Sequence, residues 1–512
     1  MSVIDDFLSR RQTIRREMGG RHKVEKLQAS GRYTARAWID ALVDQESFFE
    51  LGTFVHSSRP EDAHDTPGDG KIGGFGEVGG RPVVVLADDV TVRAASDAHS
   101  SHNKAYRLYE QALRLGMPFV FFGQGAGGRV PDVMGSETFA AGKAMRTLPG
   151  RRRRIPMVTA IVGRSFGESS FISALSDFTV MLRDASMSVT SPRVIEIATG
   201  EKVTIEELGG SEVNAKVTGQ IDVVVDTQDQ LIATVQEFLS YLPSSCTANP
   251  PLHEAVKVAP APALREIVPE KRQRAYDMRK VLAELVDDGR FLELRSQIGR
   301  SVLTCLARIG GASVGVIASQ PMQQAGAITP EACDKIVRLL CLCDSFNIPV
   351  VFLQDSSGFL VGKQVEHARF LYRAVAVNDA IENLTVPRFV IVVRKAFGLA
   401  YFALGGGPGS ALLCAWPGAE ISFMDPQVAV NVVHADKLAT KTPEDRAILH
   451  RELVEEMTVG CHPEAAAAVM AVDEIIDPAE TRMILAAHIR RAVRGMDPAT
   501  SPRRLASWPT TF

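Results

Sequence analysis

The stretch IPMVTAIVGRSFGESS at residues 155–170 returns in altered form as VPRFVIVVRKAFGLAY at residues 386–401, 231 residues further along the chain. Two other runs repeat at the same offset: GRPVVVLA at 80–87 resembles GASVGVIA at 311–318, and LGMPFVFF at 115–122 resembles FNIPVVFL at 346–353. Upstream, LVDQ at 42–45 matches LVDD at 285–288 with an offset of 243. One offset shared by three separate apolar runs predicts a duplicated domain.

Within each copy, short apolar runs alternate with segments of helical period. Residues 83–86, 119–122 and 157–162 are typical of buried strands, and residues 104–115 and 331–346 have the spacing of helices. This alternation predicts an α/β fold built from strand–helix–strand units. A Pro-, Ala- and Ser-rich segment between the copies predicts an exposed linker at 244–263, which separates a first domain at 1–243 from a second at 264–512.

The composition excludes several classes of protein. The chain has 512 residues and a formal net charge of −3, so no overall field favours nucleic acid or an anionic membrane. No segment approaches the length of an apolar membrane span, and the N-terminus is not typical of a signal peptide. The seven cysteines form no C-x-x-C pair, and the eleven histidines show no metal-binding spacing. These features predict a soluble cytoplasmic protein with reduced, buried thiols and no metal.

Each copy carries two glycine-containing loops that follow predicted strands. They span 123–129 and 163–169 in the first copy, and 354–359 and 394–401 in the second; Gly127 pairs with Gly358, and Gly167 with Gly398, at the offset of 231. A glycine turn between a strand and a helix leaves backbone N–H groups that can bind an anion or a developing oxyanion. The alternative is that these glycines only allow a close strand-to-helix turn.

A motif for nucleotide phosphates is missing, since the chain has no G-x-x-x-x-G-K-[ST] phosphate loop. The four glycine-containing loops predict chemistry that depends on backbone donors rather than on a side-chain nucleophile.

The motifs in both halves resemble one known family, the carboxyltransferase (β) subunits of biotin-dependent acyl-CoA carboxylases such as propionyl-CoA carboxylase. The resemblance covers nearly the whole chain, and its motifs occur in the expected order: YTAR at 33–36, TPGDG at 66–70, ELGG at 207–210, SQPM at 319–322, CDSFNIP at 343–349, RKAFG at 394–398, AWP at 415–417 and DEIIDPAETR at 473–482. It implies two tandem crotonase-like ββα-spiral domains that arose by internal duplication.

The resemblance also implies a reaction in which a carboxyl group passes from carboxybiotin to the α-carbon of an acyl-CoA. Backbone N–H groups at Gly167 and Glu168 would hold the thioester oxygen, and those among Gly398, Leu399 and Ala400 would hold the biotin ureido oxygen. Neighbouring ligand-binding positions would be Gly127, Gly128, Arg129 and Phe166 in the first domain and Gly358, Phe359 and Phe397 in the second.

The partners are implied in the same way. The chain has no biotinyl-lysine motif, so biotin would arrive on a biotin carboxylase and carrier (α) subunit, with acyl-CoA as the other substrate and no metal in this chain. The family further implies a hexamer with active sites where the first domain of one subunit meets the second domain of another.

Two positions depart from the family pattern. Glu168 and Leu399 stand where glycine is usual, and a carboxylate beside a forming enolate opposes negative charge unless it is paired, for which Arg129 and Arg164 are candidates. The alternatives that remain open are a biotin-dependent decarboxylase of the same fold, a non-catalytic subunit that recruits the carrier, and a biotin-independent hydratase or hydrolase using Glu168.

Overall fold

The computed structural model describes residues 2–141, 153–253 and 258–508, which form two separate units. Unit 1 comprises residues 1–248 and unit 2 comprises residues 249–510. Residues 254–257 of the predicted linker lie outside the described residues. Elsewhere in that segment Cys246 and Ala261 are buried, so the segment is not exposed along its whole length. The proline content of the segment does not reveal this burial, because composition indicates how stiff a segment is and not whether its side chains are buried.

Unit 1 is built on a seven-stranded sheet with the order β1-β2-β3-β4-β5-β7-β9, and β6 and β8 form a separate two-stranded sheet. The strands are β1 (Phe49–Glu50), β2 (Lys71–Val78), β3 (Arg81–Asp88), β4 (Phe119–Gly123), β5 (Met157–Ile161), β6 (Arg164–Phe166), β7 (Phe178–Leu182), β8 (Ser186–Ser188) and β9 (Val223–Val225). The sheet is antiparallel up to β3 and parallel from there on.

Helices connect and cover these strands. They are α1 (Val3–Glu17), α2 (Arg21–Ala29), α3 (Ala35–Leu42), α4 (His99–Leu115), α5 (Val130–Val133), α6 (Ser136–Ala141), α7 (Glu168–Leu175), α8 (Pro192–Thr199), α9 (Ile205–Gly209) and α10 (Gln228–Tyr241). Helix α4 starts five residues before the predicted 104–115 because its first turn, HSSHN, is polar and shows no apolar period.

Unit 2 repeats this architecture with the sheet order β10-β11-β12-β13-β14-β15-β17, and β16 pairs with the end of β14. Its strands are β10 (Phe291–Leu294), β11 (Val302–Ile309), β12 (Ala312–Ser319), β13 (Val350–Ser356), β14 (Arg388–Phe397), β15 (Leu412–Ala415), β16 (Glu420–Ser422) and β17 (Glu474–Ile475). Its helices are α11 (Leu264–Ile267), α12 (Met278–Leu285), α13 (Pro330–Ser345), α14 (Lys363–His367), α15 (Phe370–Glu382), α16 (Ala400–Ala403), α17 (Pro426–Val433), α18 (Ala435–Ala439), α19 (Pro443–Val459), α20 (Pro463–Ala467) and α21 (Thr481–Gly495).

The predicted duplication is confirmed in detail. The strand registers repeat at the offset of 231, since Val120 pairs with Val158 and Val351 pairs with Phe389. The hairpin turns at 79–80 and 310–311 are also stabilised by equivalent hydrogen bonds. The Asp44 carboxylate accepts from the N–H groups at residues 79 and 80 (3.0 and 2.7 Å), and Asp287 accepts from those at 310 and 311 at the same distances.

Each unit buries one lysine at the same register, on its long central helix. Lys104 on α4 donates to the carbonyls of Gly52 and Lys71 at 3.0 and 2.6 Å, and Lys335 on α13 donates to two other backbone carbonyls. Burial lowers the pKa of both ammonium groups to about 8. Both lysines tie a helix to backbone carbonyls, a role that helical spacing alone does not reveal. All seven cysteines are buried and none of them forms a disulfide, which confirms the burial expected for Cys333, Cys341 and Cys343.

Candidate active site

The loop after β4 runs beside Asp97 and carries the first candidate donors. The N–H of Asp97 donates to the carbonyl of Gly127 (2.8 Å), and the N–H of Arg129 donates to the carbonyl of Asp97 (2.7 Å). Gly127 adopts φ 86°, in the left-handed region that favours glycine. Between these anchors, the N–H of Gly128 has no acceptor among the described residues.

The second loop of unit 1 packs directly against the first. The N–H of Phe166 donates to Gly125 (2.9 Å), and Gly167 takes φ 61° immediately before α7 begins. A Cβ added at Gly167 would lie 3.1 Å from the Cα of Gly127. Only glycine therefore allows the N-terminal end of α7, with its outward N–H groups, to lie against the Gly127–Gly128 turn.

Unit 2 repeats the arrangement with different residues. The N–H of Ile328 donates to Gly358 (3.0 Å), and the N–H of Leu360 donates back to Ile328 (2.9 Å). Gly358 and Gly398 adopt φ 122° and 64°. Helix α16 then begins at Ala400, directly after Leu399.

The structure corrects the predicted donor atoms in both loops. The N–H of Gly167 donates to the carbonyl of Val189 (3.1 Å), and that of Gly398 donates to Ser422 (2.9 Å), so neither group points to a ligand. Among the described residues, the N–H groups of Leu399 and Ala400 have no acceptor. In unit 2 the glycine therefore provides the turn, and the two residues that follow it provide the donors.

Arg129 is held inside the protein instead of facing a ligand. Its guanidinium bonds the Asp69 carboxylate (2.7 Å) and the carbonyl of Ser96 (3.0 Å), with Asp132 at 3.6 Å. Arg129 and Asp69 are 8% and 0% exposed. Neither Arg129 nor Arg164 pairs with Glu168. We call the Arg129–Asp69 pair the clamp, because it fixes the loop that carries Gly127 and Gly128.

A second buried ionic group lies behind the same loop. Lys71 contacts both Asp88 and Asp97, the latter at 2.7 Å, and Asp88 also accepts from the N–H of Gln124 (3.0 Å). Burial opposes the charge on Lys71, but the two carboxylates outweigh it and raise the pKa of that lysine above its usual value. Sequence inspection missed Lys71, Asp88 and Asp97 because their contacts join residues far apart in the chain.

Unit 2 has its own buried ion pair beneath its loops. The Arg394 guanidinium bonds the Asp355 carboxylate at 3.0 Å and the carbonyl of Arg274 at 2.9 Å. Burial raises the pKa of Asp355, and the charge of Arg394 partly offsets this. Asp355 also accepts from the N–H of Lys395 (3.3 Å), so the pair connects β13 to the part of β14 that precedes Gly398.

The three phenylalanines predicted near ligands differ in burial. Phe397 is 1% exposed, so its ring belongs to the interior and cannot contact a ligand in this conformation. The other residues of β14 are also buried, on both faces of the strand. The sequence therefore lacks the alternation of apolar and polar residues that would have shown that Phe397 faces the interior. Phe166 is 9% exposed yet borders a cavity, and Phe359 is half-buried against Phe370, edge to face at 5.4 Å.

A cavity of about 940 Å³ opens beside the loops of unit 1. Its wall includes Gln124 and Ala126 of the first loop and Gly163, Arg164 and Phe166 of the second. It extends from there toward residues 205–212 and toward Leu27 and Arg32. This volume suits a ligand larger than most metabolites, with one end at the donor loops.

Gly167→Ala is expected to lower catalytic turnover by about 100-fold, because the new methyl group forces α7 away from Gly127 and misplaces the donors. Gly200→Ala is the matched control: Gly200 has φ 79°, and an added Cβ meets nothing within 4 Å. Steady-state assays of both variants check this. If Gly167→Ala and Gly200→Ala lost the same share of turnover, backbone strain alone would explain the loss. The contact between Gly167 and Gly127 would then have no role.

The part of the chain that the structure describes contains no cluster of three or more His, Cys, Asp or Glu residues suited to a metal ion. Within the same residues, no helix is long and apolar enough to cross a membrane.

Comparison with known proteins agrees with this geometry. The model of the carboxyl transferase domain matches residues 26–504. The chain is 35% identical over 489 residues to the methylmalonyl-CoA carboxyltransferase 12S subunit of Propionibacterium freudenreichii subsp. shermanii, covering 94% of this chain and 93% of that protein. It is 34% identical over 502 residues to the propionyl-CoA carboxylase carboxyltransferase subunit of Haloferax mediterranei, covering 95% of each.

A solved structure shows the same fold. The crystal structure of the transcarboxylase 12S hexamer, with methylmalonyl-CoA and methylmalonic acid bound, superposes with a TM-score of 0.88 at 33% identity and covers 95% of this chain and 94% of that one. The predicted pair of crotonase-like domains is thereby confirmed.

Proposed function

This chain belongs to the carboxyl transferase domain family as a carboxyltransferase subunit of biotin-dependent acyl-CoA carboxylases, and we propose that its two units divide the transfer between them. Unit 1 polarises the thioester of an acyl-CoA, and unit 2 polarises the ureido group of biotin carried on a partner chain. The observation that carries this proposal is the repeated loop pair, in which a glycine with an engaged N–H precedes the start of a helix, and backbone donors without an acceptor among the described residues lie nearby, at Gly128 in unit 1 and at Leu399 and Ala400 in unit 2.

Both halves of the reaction place negative charge on an oxygen that was a carbonyl oxygen. In unit 1, the N–H of Gly128 and the first turn of α7 stabilise the oxygen of the thioester enolate. In unit 2, the N–H groups of Leu399 and Ala400 stabilise the ureido oxygen. Fixed donors of this kind need no reorganisation as the charge develops.

Carboxybiotin bound at unit 2 would supply the carboxyl group and, once that group has left, a basic ring nitrogen. The residues of this chain bind and orient the two substrates, and they exclude water from them. The clamp and the Lys71 cluster hold the donors of unit 1 rigid, and the Arg394–Asp355 pair does so in unit 2. No side chain of the protein has to exchange a proton with the substrate.

Exposed apolar side chains surround the donor loop of unit 2. Leu399, Phe402 and Phe423 are 60%, 46% and 79% exposed, and Leu371 and Tyr372 on α15 are 70% and 76% exposed. Apolar surface of this kind marks a contact site on a protein. It supports a homo-oligomer, as in the hexameric 12S relative, in which unit 2 is covered by another copy around the biotin site.

The reverse direction is a second candidate, because the structural relative was solved with methylmalonyl-CoA bound. A catalyst lowers the forward and reverse barriers of one step together. The same donors therefore serve removal of a carboxyl group from a carboxyacyl-CoA.

The test measures transfer in both directions with the purified chain. N-carboxybiotin and propionyl-CoA are the forward substrates, and methylmalonyl-CoA with free biotin is the reverse pair. We expect carboxyl transfer that requires biotin in both cases, in a species whose mass by light scattering exceeds that of one chain. Turnover of the thioester that is independent of biotin would contradict the proposal and favour a hydratase or hydrolase. Binding of a biotinylated carrier without transfer would favour a non-catalytic subunit.

A further inference from the structure

The cavity of unit 1 is bordered by three arginines that differ in their partners. Arg32 is paired with Asp184, and Arg183 is paired with Asp226 and lies 3.6 Å from Glu212. Both guanidinium groups are thus already neutralised by carboxylates within the protein.

Arg164 is different. It is exposed, it borders the cavity, and among the described residues its guanidinium has neither an ion-pair partner nor a hydrogen-bond partner. It is the first residue of β6, which leads through Phe166 directly to Gly167. Three residues of extended chain separate its Cα from that of Gly167 by roughly 10 Å. Arg164 therefore stands at a fixed distance from the thioester donors, on the wall of the same cavity.

A guanidinium group is suited to oxyanions because its planar fork makes two parallel hydrogen bonds to a phosphate or carboxylate. Of the other charged groups on the cavity wall, Glu206 alone has no ion-pair partner within the described residues, and it lies in the first turn of α9. The N-terminal end of a helix favours that carboxylate. Arg164 is thus the cation on this wall left for an external anion.

We propose that Arg164 binds a phosphate group of the CoA moiety while the thioester lies at the Gly128 and α7 donors. This inference rests on the proposed function, since it assumes that acyl-CoA occupies the unit 1 cavity. Every acyl-CoA carries phosphates at the far end of its pantetheine arm, away from the thioester. Arg164 then contributes to binding affinity and not to stabilisation of the enolate.

The test compares Arg164→Met with two controls by titration calorimetry with CoA and by kinetics with propionyl-CoA. Arg193→Met removes an exposed arginine on α8 outside the cavity wall, and Glu206→Gln removes the acidic group on the wall. Arg164→Met is expected to weaken CoA binding by about 10- to 100-fold and to raise KM for propionyl-CoA equally, with kcat unchanged. Arg193→Met should match the wild type, and Glu206→Gln should bind CoA at least as tightly.

A propionyl-pantetheine thioester, which lacks the phosphates, separates the possible sources of an effect. Wild type and Arg164→Met should use it equally well. A loss that persists with this thioester, or a fall in kcat, would place Arg164 at the acyl group and overturn the assignment. Unchanged CoA affinity in Arg164→Met would overturn it as well, while leaving the proposed function intact. Failure of the wild type to bind CoA at all would instead contradict the proposed function.

Discussion

Leu399→Pro is expected to reduce carboxyl transfer by about 100- to 1,000-fold without unfolding unit 2. Leu399 already has φ −65°, the angle that proline imposes, and it precedes the first residue of α16, where proline is tolerated. The residue before it is glycine, which has no Cβ to clash with the proline ring. The substitution therefore removes one N–H donor and changes little else in the backbone.

Leu399→Ala is the matched control, since it shortens the same exposed side chain and keeps the N–H. We expect Leu399→Ala to retain transfer within a few-fold of the wild type. The measurement is the rate of transfer from N-carboxybiotin to propionyl-CoA, with circular dichroism to confirm the fold. If Leu399→Pro remained as active as Leu399→Ala, the backbone of this residue would have no part in stabilising the ureido oxygen.

Arg129→Met is expected to destabilise unit 1 by about 3–5 kcal/mol, because it leaves the carboxylate of Asp69 charged, buried and without its cation. The effect on transfer should also be large, since the loop that carries Gly127 and Gly128 loses the bonds from the Arg129 guanidinium to Asp69 and Ser96. Urea unfolding, together with hydrogen exchange of the amides in β4 and the following loop, measures both consequences.

The double variant Arg129→Met with Asp69→Asn distinguishes the clamp from ordinary packing. Asp69 has φ 49°, which asparagine tolerates, and the double variant buries no unpaired charge at these two positions. It should recover part of the lost stability but not the lost transfer, because the loop stays unclamped. A double variant less stable than Arg129→Met would mean that the two residues stabilise the unit independently.

The fold could be predicted from the sequence because the duplication repeats the same apolar runs and glycine-containing loops twice in the chain. The offset that joins Gly80 to Gly311 also joins Gly167 to Gly398, and the strands predicted in the first copy coincide with β3, β4 and β5. The loops predicted at 354–359 and 394–401 were wrong in part, because β13 extends to Ser356 and β14 extends to Phe397. The donor atoms were not predicted correctly, because the N–H of Gly167 donates to the carbonyl of Val189, and a strand–turn–helix pattern does not indicate what the residue after β8 contributes. In the same way, Arg129 lies in a loop that suggests ligand contact, yet its partner Asp69 comes from 60 residues earlier.

The internal repeat also shows where the chain can change length. The two units share the offset of 231 at the turns 79–80 and 310–311, at the short 3-10 turns Arg93–Ala95 and Gln324–Gly326, and at Gly167 and Gly398. After the donor loops the lengths differ: α8 and α9 lie between β8 and β9, whereas the longer segment between β16 and β17 holds α17, α18, α19 and α20. Upstream of the site the lengths differ as well, since the segment between β1 and β2 is longer than that between β10 and β11 and the offset falls from 243 to 231. The segments before β2 and after β16 are therefore the natural places for a fused tag or a grafted recognition element. The stretch from the turn at 310–311 to Gly398 has the same length as the stretch from the turn at 79–80 to Gly167, so we expect a residue added there to displace the donor loop.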